Sequence, residues 1–247
     1  MLAELLEDIR DYWTQRAEGY SNNIIDDLES GRAEHWLKII KKHVPSTEPL
    51  KILDIGTGPG FFPILMGREG HEVTAVDYTE AMLAEAERNC KNYQVSAHFS
   101  KMDAHNLEFA DNSFDLILSR NLIWDLENPR KAYREWLRVL KPNGKMMVFD
   151  GNHYLHLYDE GYAQAEKIEQ KEIKHRYIGN VDTNIIKNIA KELPLSKERR
   201  PQWDVNTLIE MGVQSIQVDT DGRDSYQIEQ QGELLYLPFS FLICATK

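Results

Sequence analysis

Leu53-Asp54-Ile55-Gly56-Thr57-Gly58-Pro59-Gly60 is the stretch on which the reading of this chain turns. It closes a short apolar run that begins at Lys51 and has the length of a buried strand. Its glycines lead directly into Phe61-Phe62-Pro63-Ile64-Leu65-Met66, the opening of a helix. Glycines in such a turn let the backbone reverse sharply and lie against a bound molecule, because no Cβ intervenes. The helix behind them offers free N–H groups and a partial positive charge, which suits a carboxylate or a phosphate.

Spacing separates the two common ligands of such a loop. With Gly56 and Gly58 as the first two glycines of a dinucleotide fingerprint, the third must stand at position 61, and that residue is Phe61. The lysine-bearing phosphate loop of nucleotide triphosphatases has no counterpart anywhere in the chain. The pattern is instead acid-x-Gly-x-Gly-x-Gly, from Asp54 to Gly60.

Working outward, residues 72–76 read as the next strand and end on Asp77-Tyr78. An acid at that strand end is placed to accept both hydroxyls of a ribose, and Tyr78 to lie on an adenine face. The competing reading makes Asp77 a cap for the helix of residues 79–92, whose N-cap is Thr79. Met82, one turn into that helix, reads either as an adenine contact or as core. Residues 94–100, 114–118 and 145–150 form further strands, residues 128–139 a helix, and 141–144 a turn. Strands alternating with helices predict βαβ units, hence a parallel sheet covered on both faces.

In these blocks the chain resembles the class I S-adenosylmethionine-dependent methyltransferases, whose first motif has the Asp54–Gly60 form. The resemblance implies a Rossmann-like α/β fold with a seven-stranded, mainly parallel sheet. It also implies S-adenosyl-L-methionine as cofactor and S-adenosyl-L-homocysteine as product. In the family an acid after the third strand receives the adenine amino group and the next backbone N–H meets the ring; Asp103 and Ala104 stand at those positions. Arg138-Val-Leu-Lys-Pro-Asn-Gly144 is similar to the family's R-V-L-K-P-G-G turn, with Asn143 in place of a glycine, which asparagine's tolerance of turn conformations permits. Asp54, Gly56, Thr57, Gly58, Asp77, Tyr78 and Met82 complete the cofactor set within the core.

Upstream, Trp13, Ala17 and Tyr20 resemble the W-x-x-x-A-x-x-Y segment of the ubiquinone/menaquinone-type (methyltransferase type 11) small-molecule enzymes. There this segment folds over the cofactor, which implicates Tyr20 and, more weakly, Trp13 and Arg16. The bland reading of Trp13 is a helix docking its aromatics on the core. Leu2, Leu5, Leu6, Ile9 and Trp13 share one face of a helix over residues 2–18, and a second helical stretch covers 22–43 with a break at Ser30-Gly31. After the fourth strand comes Ser119-Arg120-Asn121-Leu122-Ile123-Trp124-Asp125 rather than the [DN]-P-P-[YF] of amino-group methyltransferases acting on DNA or protein. Arg120 there meets either the cofactor carboxylate or a substrate anion, or forms a surface salt bridge.

Beyond Asp150 the alternation stops. Residues 151–204 are polar and helical in pattern, where the family inserts substrate-covering helices. The segment mixes Tyr154, Tyr158, Tyr162, Tyr177 and Trp203 with Lys174, Arg176, Arg199 and Arg200, a lid for a small, anionic acceptor or else a solvated helical face. Trp124 and His153 are substrate candidates, although a lone histidine in such a place is more often structural. Tyr20, His153 and His156 are the groups available to take a proton, and none is assigned as catalytic base. A short helix over 205–211 and strands over 213–220 and 235–246, antiparallel neighbours, close the chain. The expected organisation is residues 1–45 as covering helices, 46–150 as core, 151–204 as lid and 205–247 as the end of the sheet.

Composition limits the function classes. The 247 residues suit one large domain with an insertion, and the 42% hydrophobic share suffices for a core. A net charge of −11 argues against a phosphate-backbone substrate, because such affinity comes from Lys and Arg. Cys90 and Cys244 make no disulfide framework, no Cys/His group has metal spacing, and no apolar run reaches membrane length. With no secretory-type start, the expectation is a soluble, cytoplasmic small-molecule methyltransferase without a metal. An RNA or protein methyltransferase and a non-catalytic adenosyl-binding protein remain the alternatives.

Overall fold

The computed structural model describes residues 2–169, 177–220, 225–230 and 232–247. Two helices, α1 (Leu2–Glu29) and α2 (Arg32–His43), precede the strand β1 (Lys51–Ile55), which is buried along all but its first residue. Then follow α3 (Phe61–Arg68), β2 (Glu72–Asp77), α4 (Glu80–Asn92), β3 (His98–Lys101), β4 (Phe114–Arg120), α5 (Pro129–Val139) and β5 (Leu140–Gly151). The helices α6 (Glu160–Glu169) and α7 (Thr183–Glu192) come next, then α8 (Gln202–Glu210) and β6 (Ser215–Asp219). A hairpin of β7 (Ser225–Gln230) and β8 (Glu233–Pro238) leads into β9 (Ser240–Thr246).

Seven strands form one sheet in the order β3-β2-β1-β4-β5-β9-β6. The pairs from β3 to β5 are parallel, and β9 runs antiparallel to both β5 and β6. The strand order reverses between β1 and β4, and a crevice opens there beyond the strands' carboxyl ends, the place where open α/β sheets bind ligands. Each face of the sheet carries its own core. Tyr133, Trp136 and Leu208 fill one side, and Ile40, Phe62 and Cys90 the other. Cys90 and Cys244 are both buried free thiols. Among the described residues no helix is long and apolar enough to cross a membrane.

The mainly parallel seven-stranded sheet matches the expectation; four details do not. Helix α1 runs unbroken to Glu29 instead of ending near residue 18, and the break comes at Ser30-Gly31, where Gly31 takes φ 75°. Strand β3 starts only at His98, because Gln94 at φ 57° and the Val95 N–H bond to the Cys90 carbonyl finish the preceding helix. The expected single strand over residues 235–246 is two strands, β8 and β9. The former belongs to a separate hairpin that packs Tyr226 and Leu237 on Tyr162 and Ala165 of α6. Thr79 is the N-cap of α4 but makes no side-chain cap; Asp77 Oδ1 accepts its backbone N–H instead.

Candidate functional site

The turn from β1 into α3 is built by backbone. Gly56 and Thr57 each donate an N–H to the Val76 carbonyl, at 2.9 and 3.0 Å, and Gly58 donates to Asp77 Oδ2 at 2.9 Å. Gly56, Gly58 and Gly60 all have positive φ. At Gly60 (φ 91°) a Cβ would also stand 3.2 Å from the Ala86 backbone on α4, so the turn needs glycine there for packing as well as for conformation.

A cavity of about 780 Å³, its open mouth included, lies over this turn. Gly56, Gly58, Asp77, Tyr78, Met82 and Arg120 line it, and Asp103, Ala104 and Tyr20 do so too. Asp54 and Thr57 are buried behind the turn rather than among the lining residues. Burial pushes the Asp54 carboxyl up to about 7, and its Oδ2 has no partner. Asp77 is also raised by burial, opposed by the N–H groups of Thr79 and Gly58. It therefore caps α4 and faces the cavity at once, so the two readings of it are compatible.

On the third strand's side, Asp103 Oδ1 accepts both the backbone N–H and Nδ1 of His105, at 2.8 and 2.6 Å. Burial alone would raise Asp103, but those bonds hold it below the usual carboxylate range. Trp136 Nε1 donates to the Ala104 carbonyl at 2.9 Å and pins that turn to α5. Tyr78 donates its hydroxyl to Glu7 on α1, across the cavity mouth.

Helix α1 closes the cavity from above with Leu6, Ile9, Arg10 and Trp13. The apolar spacing of Leu6, Ile9 and Trp13 was visible in the sequence, but the partner of that face was not. Trp13 packs edge-on to Tyr20 at 5.5 Å and donates its indole N–H to Asp125. Tyr20 lies over the turn, 3.6 Å from where a Cβ on Gly58 would be. Arg120 pairs with Asp27 of α1 and stacks between Trp36 and Phe61, at 4.6 and 4.7 Å from their ring centres. Its salt bridge is thus partly buried, and its Nη1 has no partner.

A second cavity, about 2,230 Å³ with its opening, adjoins the first and shares Trp13, Tyr20, Arg120 and Asn121 with it. Trp124, His153, Tyr154, His156 and Phe239 line its far side. His153 stands edge-on between Trp124 and Phe239, and its Nε2 is 3.5 Å from Asp150 Oδ1. His156 Nε2 is 3.5 Å from Glu166 Oε2, and burial lowers its affinity for a proton.

For Arg199 and Arg200, two of the four basic residues expected in a lid over an anionic acceptor, that expectation is corrected. Arg200 is 1% exposed and spends its donors on Asp150 Oδ2 at 2.8 Å and on both oxygens of Asp204, at 2.7 and 2.8 Å. Arg199 pairs with Asp159 at the surface, Trp203 stacks on Tyr133, and Tyr162 packs under the hairpin. None of these four side chains lines either cavity. Lys174 and Arg176 lie outside the described residues. Residues that the sequence reading missed include Asn121, at φ 53°, and Asp125, both directly after β4. Their position was legible, but their aim depends on how the chain leaves the sheet.

The cavity fits an adenosyl ligand on its own chemistry. Its walls offer apolar residues such as Ile55, Val76, Met102 and Leu122 for a ring, the Asp77 and Asp103 carboxylates for donors, and the unpartnered Arg120 Nη1 for an anion.

Comparisons with known proteins agree with this geometry. Residues 53–148 match the family described as methyltransferase domain. A demethylmenaquinone methyltransferase of Renibacterium salmoninarum is 31% identical over 128 residues, covering 52% of each chain. One from Thermotoga maritima is 33% identical over 125 residues, 50% of this chain and 53% of that one. A ubiquinone/menaquinone biosynthesis C-methyltransferase of Bdellovibrio bacteriovorus is 31% identical over 148 residues, 58% of this chain and 62% of that one. The chain spans about half the length of the first of the curated relatives it matches. Among solved structures, an S-adenosylmethionine-dependent methyltransferase from Aquifex aeolicus superposes with TM-score 0.56 at 20% identity, over 92% of this chain and 97% of that one, a likeness of fold. Fold, glycine turn and domain match agree: residues 53–148 match a methyltransferase domain, set on a seven-stranded, mainly parallel sheet.

Proposed function

We propose that this protein transfers a methyl group from S-adenosyl-L-methionine to a small-molecule acceptor. The observation that carries the reading is the junction of the two cavities. A chamber framed by Gly56, Gly58 and Asp77 adjoins, beside Trp13 and Tyr20, a larger aromatic chamber.

S-adenosyl-L-methionine supplies an electrophilic methyl on a sulfonium, so little acid–base help is required, and placement and exclusion of water dominate. In this reading Asp77 accepts the ribose hydroxyls, Asp103 the adenine amino group, and the Ala104 N–H meets the ring. Tyr78 and Met82 flank the adenine, and Arg120 Nη1 takes the cofactor carboxylate. Asp54 and Thr57 support the turn from behind. Trp13 and Tyr20 form the wall past which donor and acceptor approach in line, while α1 keeps water out.

Trp124 and His153 contact the acceptor in the second chamber. The relatives' names favour a small aromatic acceptor of the quinone kind, and the rings of Trp124, Tyr154 and Phe239 suit a planar one. His153, Tyr154, Tyr226 and Phe239 all follow the matched residues 53–148, so much of the acceptor chamber's wall lies beyond the domain match.

Calorimetric titration with S-adenosylhomocysteine, with NADH as control, tests the cofactor half. Micromolar binding is expected for wild type, and at least roughly thirtyfold weaker binding for Asp77→Ala, which removes a buried acceptor and leaves two N–H groups unpaired. No binding to wild type would sink the reading.

A further inference from the structure

Asp125 is the one buried carboxyl on the first cavity's wall, among the described residues, with an oxygen that meets nothing. It sits on a single 3₁₀ turn (Ile123–Asp125) directly after β4 and is 3% exposed. Its Oδ2 accepts the indole N–H of Trp13, and its Oδ1 has neither solvent nor a partner. Arg200 is committed to Asp150 and Asp204, and Arg120 bonds Asp27 through Nη2 and leaves Nη1 unpartnered.

Carboxyls and aromatic rings surround it, while Arg10 and Arg120 line the same cavity and Arg16 sits against Tyr12. Tyr12 and Trp13 approach from α1, Asp77 from the end of β2, Glu127 from the following loop, Asp150 from β5, and Tyr154 from beyond it. Burial and the neighbouring carboxylates push its own affinity for a proton well up, to about 8. A carboxyl so placed, with one neutral hydrogen bond, costs stability whenever it ionises, and an apolar side chain would pack there at no such penalty. A positive charge brought into the cavity removes the penalty.

We propose that Asp125 reads charge in the cofactor chamber: its free Oδ1 favours a ligand carrying a positive sulfonium over the neutral thioether left after methyl transfer. The inference rests on the reading of this chamber as an adenosyl site and names the residue that distinguishes its charged form from its spent one. Trp13, shared by both cavities, is bonded to the other oxygen and fixes the carboxyl in the wall of the first. Two consequences follow from charge alone. The charged donor binds more tightly than the neutral product, which speeds product exchange. Binding of the donor near pH 7 drives a proton off Asp125 into solvent, whereas binding of the thioether does not.

The test is calorimetric titration of the intact protein with S-adenosylmethionine and with S-adenosylhomocysteine at pH 7, in phosphate and in Tris, whose ionisation enthalpies differ. Wild type is expected to prefer the charged ligand by about tenfold and to release a fraction of a proton only with it. Asp125→Asn, which keeps an acceptor for Trp13, should bring the ratio close to one, abolish the proton release and leave thioether affinity within about threefold. An unchanged ratio in that variant overturns the proposal. If the variant does not fold, wild type still decides, because equal proton counts for the two ligands, or no preference, overturn it. If wild type binds neither ligand, the adenosyl reading itself has failed.

Discussion

Arg120 Nη2 stands 2.6 Å from Asp27 Oδ2, and this pair ties the end of β4 to the last turn of α1 across the border of both cavities. The guanidinium is held flat between Trp36 and Phe61, so its position is set before any ligand arrives. Arg120→Met keeps much of the stem's packing but removes the charge and the free Nη1. Affinity for S-adenosylhomocysteine is expected to fall about tenfold, the worth of one charge-assisted hydrogen bond, with Tm lowered by a few degrees. Titration and a thermal scan of the same preparation separate the two effects.

The buried ion cluster of Asp150, Arg200 and Asp204 should reveal itself in stability before it affects ligand affinity. Tyr133 adds its hydroxyl to Asp204 Oδ1 at 2.7 Å, so the cluster joins β5, α5 and α8 behind the cavities. Arg200→Met leaves two buried carboxylates without their cation, a loss of about 3–5 kcal/mol. At roughly 2–4 °C per kcal/mol for a chain of this size, Tm drops by about 10 °C. Arg199→Ala, at the surface, should change Tm by no more than about 2 °C.

Gly19 lies in the middle of α1, and a Cβ there would stand 2.0 Å from the backbone oxygen of Tyr177. That same oxygen accepts a hydrogen bond from Arg16 Nη1 at 2.7 Å. Gly19→Ala favours the helix by about 1 kcal/mol in propensity but forces α1 and the segment at Tyr177 apart. We expect turnover with an acceptor to fall at least tenfold while S-adenosylhomocysteine affinity changes by less than about threefold. Equal losses in both would place the contact in the cofactor chamber instead.

Stability without ligand should depend on pH through two buried acids. Asp54 and Asp125 are raised by burial to about 7 and about 8, above the value near 4 of an unfolded aspartate. In the window from about pH 4 to pH 8 the folded protein then holds more protons than the unfolded chain. These two groups therefore contribute stability that is complete below pH 4 and lost as pH rises through 7 and 8. Asp125→Asn removes one of them, so the fall in Tm between pH 6 and pH 8.5 is expected to flatten. A slope identical to wild type would show that Asp125 titrates normally.

The sequence by itself determined the αβ alternation, the turn from Asp54 to Gly60, and the acids at the ends of the second and third strands. Each of these signals is local: a run of apolar residues, glycines where φ is positive, an acid at or just past a strand's end. Tertiary structure alone decided the rest. Asp125 pairs with Trp13 across 112 positions, and Arg120 with Asp27 across 93. Arg200, an apparent lid cation by spacing, instead turns inward because Asp150 and Asp204 wait there, where a charge without a partner would be costly. The hairpin of β7 and β8 escaped notice because its strands pair with each other and pack on α6, outside the alternation that marks the main sheet. Spacing along a chain reports which face a residue shares with its neighbours; which distant group meets that face is settled only when burial forces every buried charge and ring to find a partner.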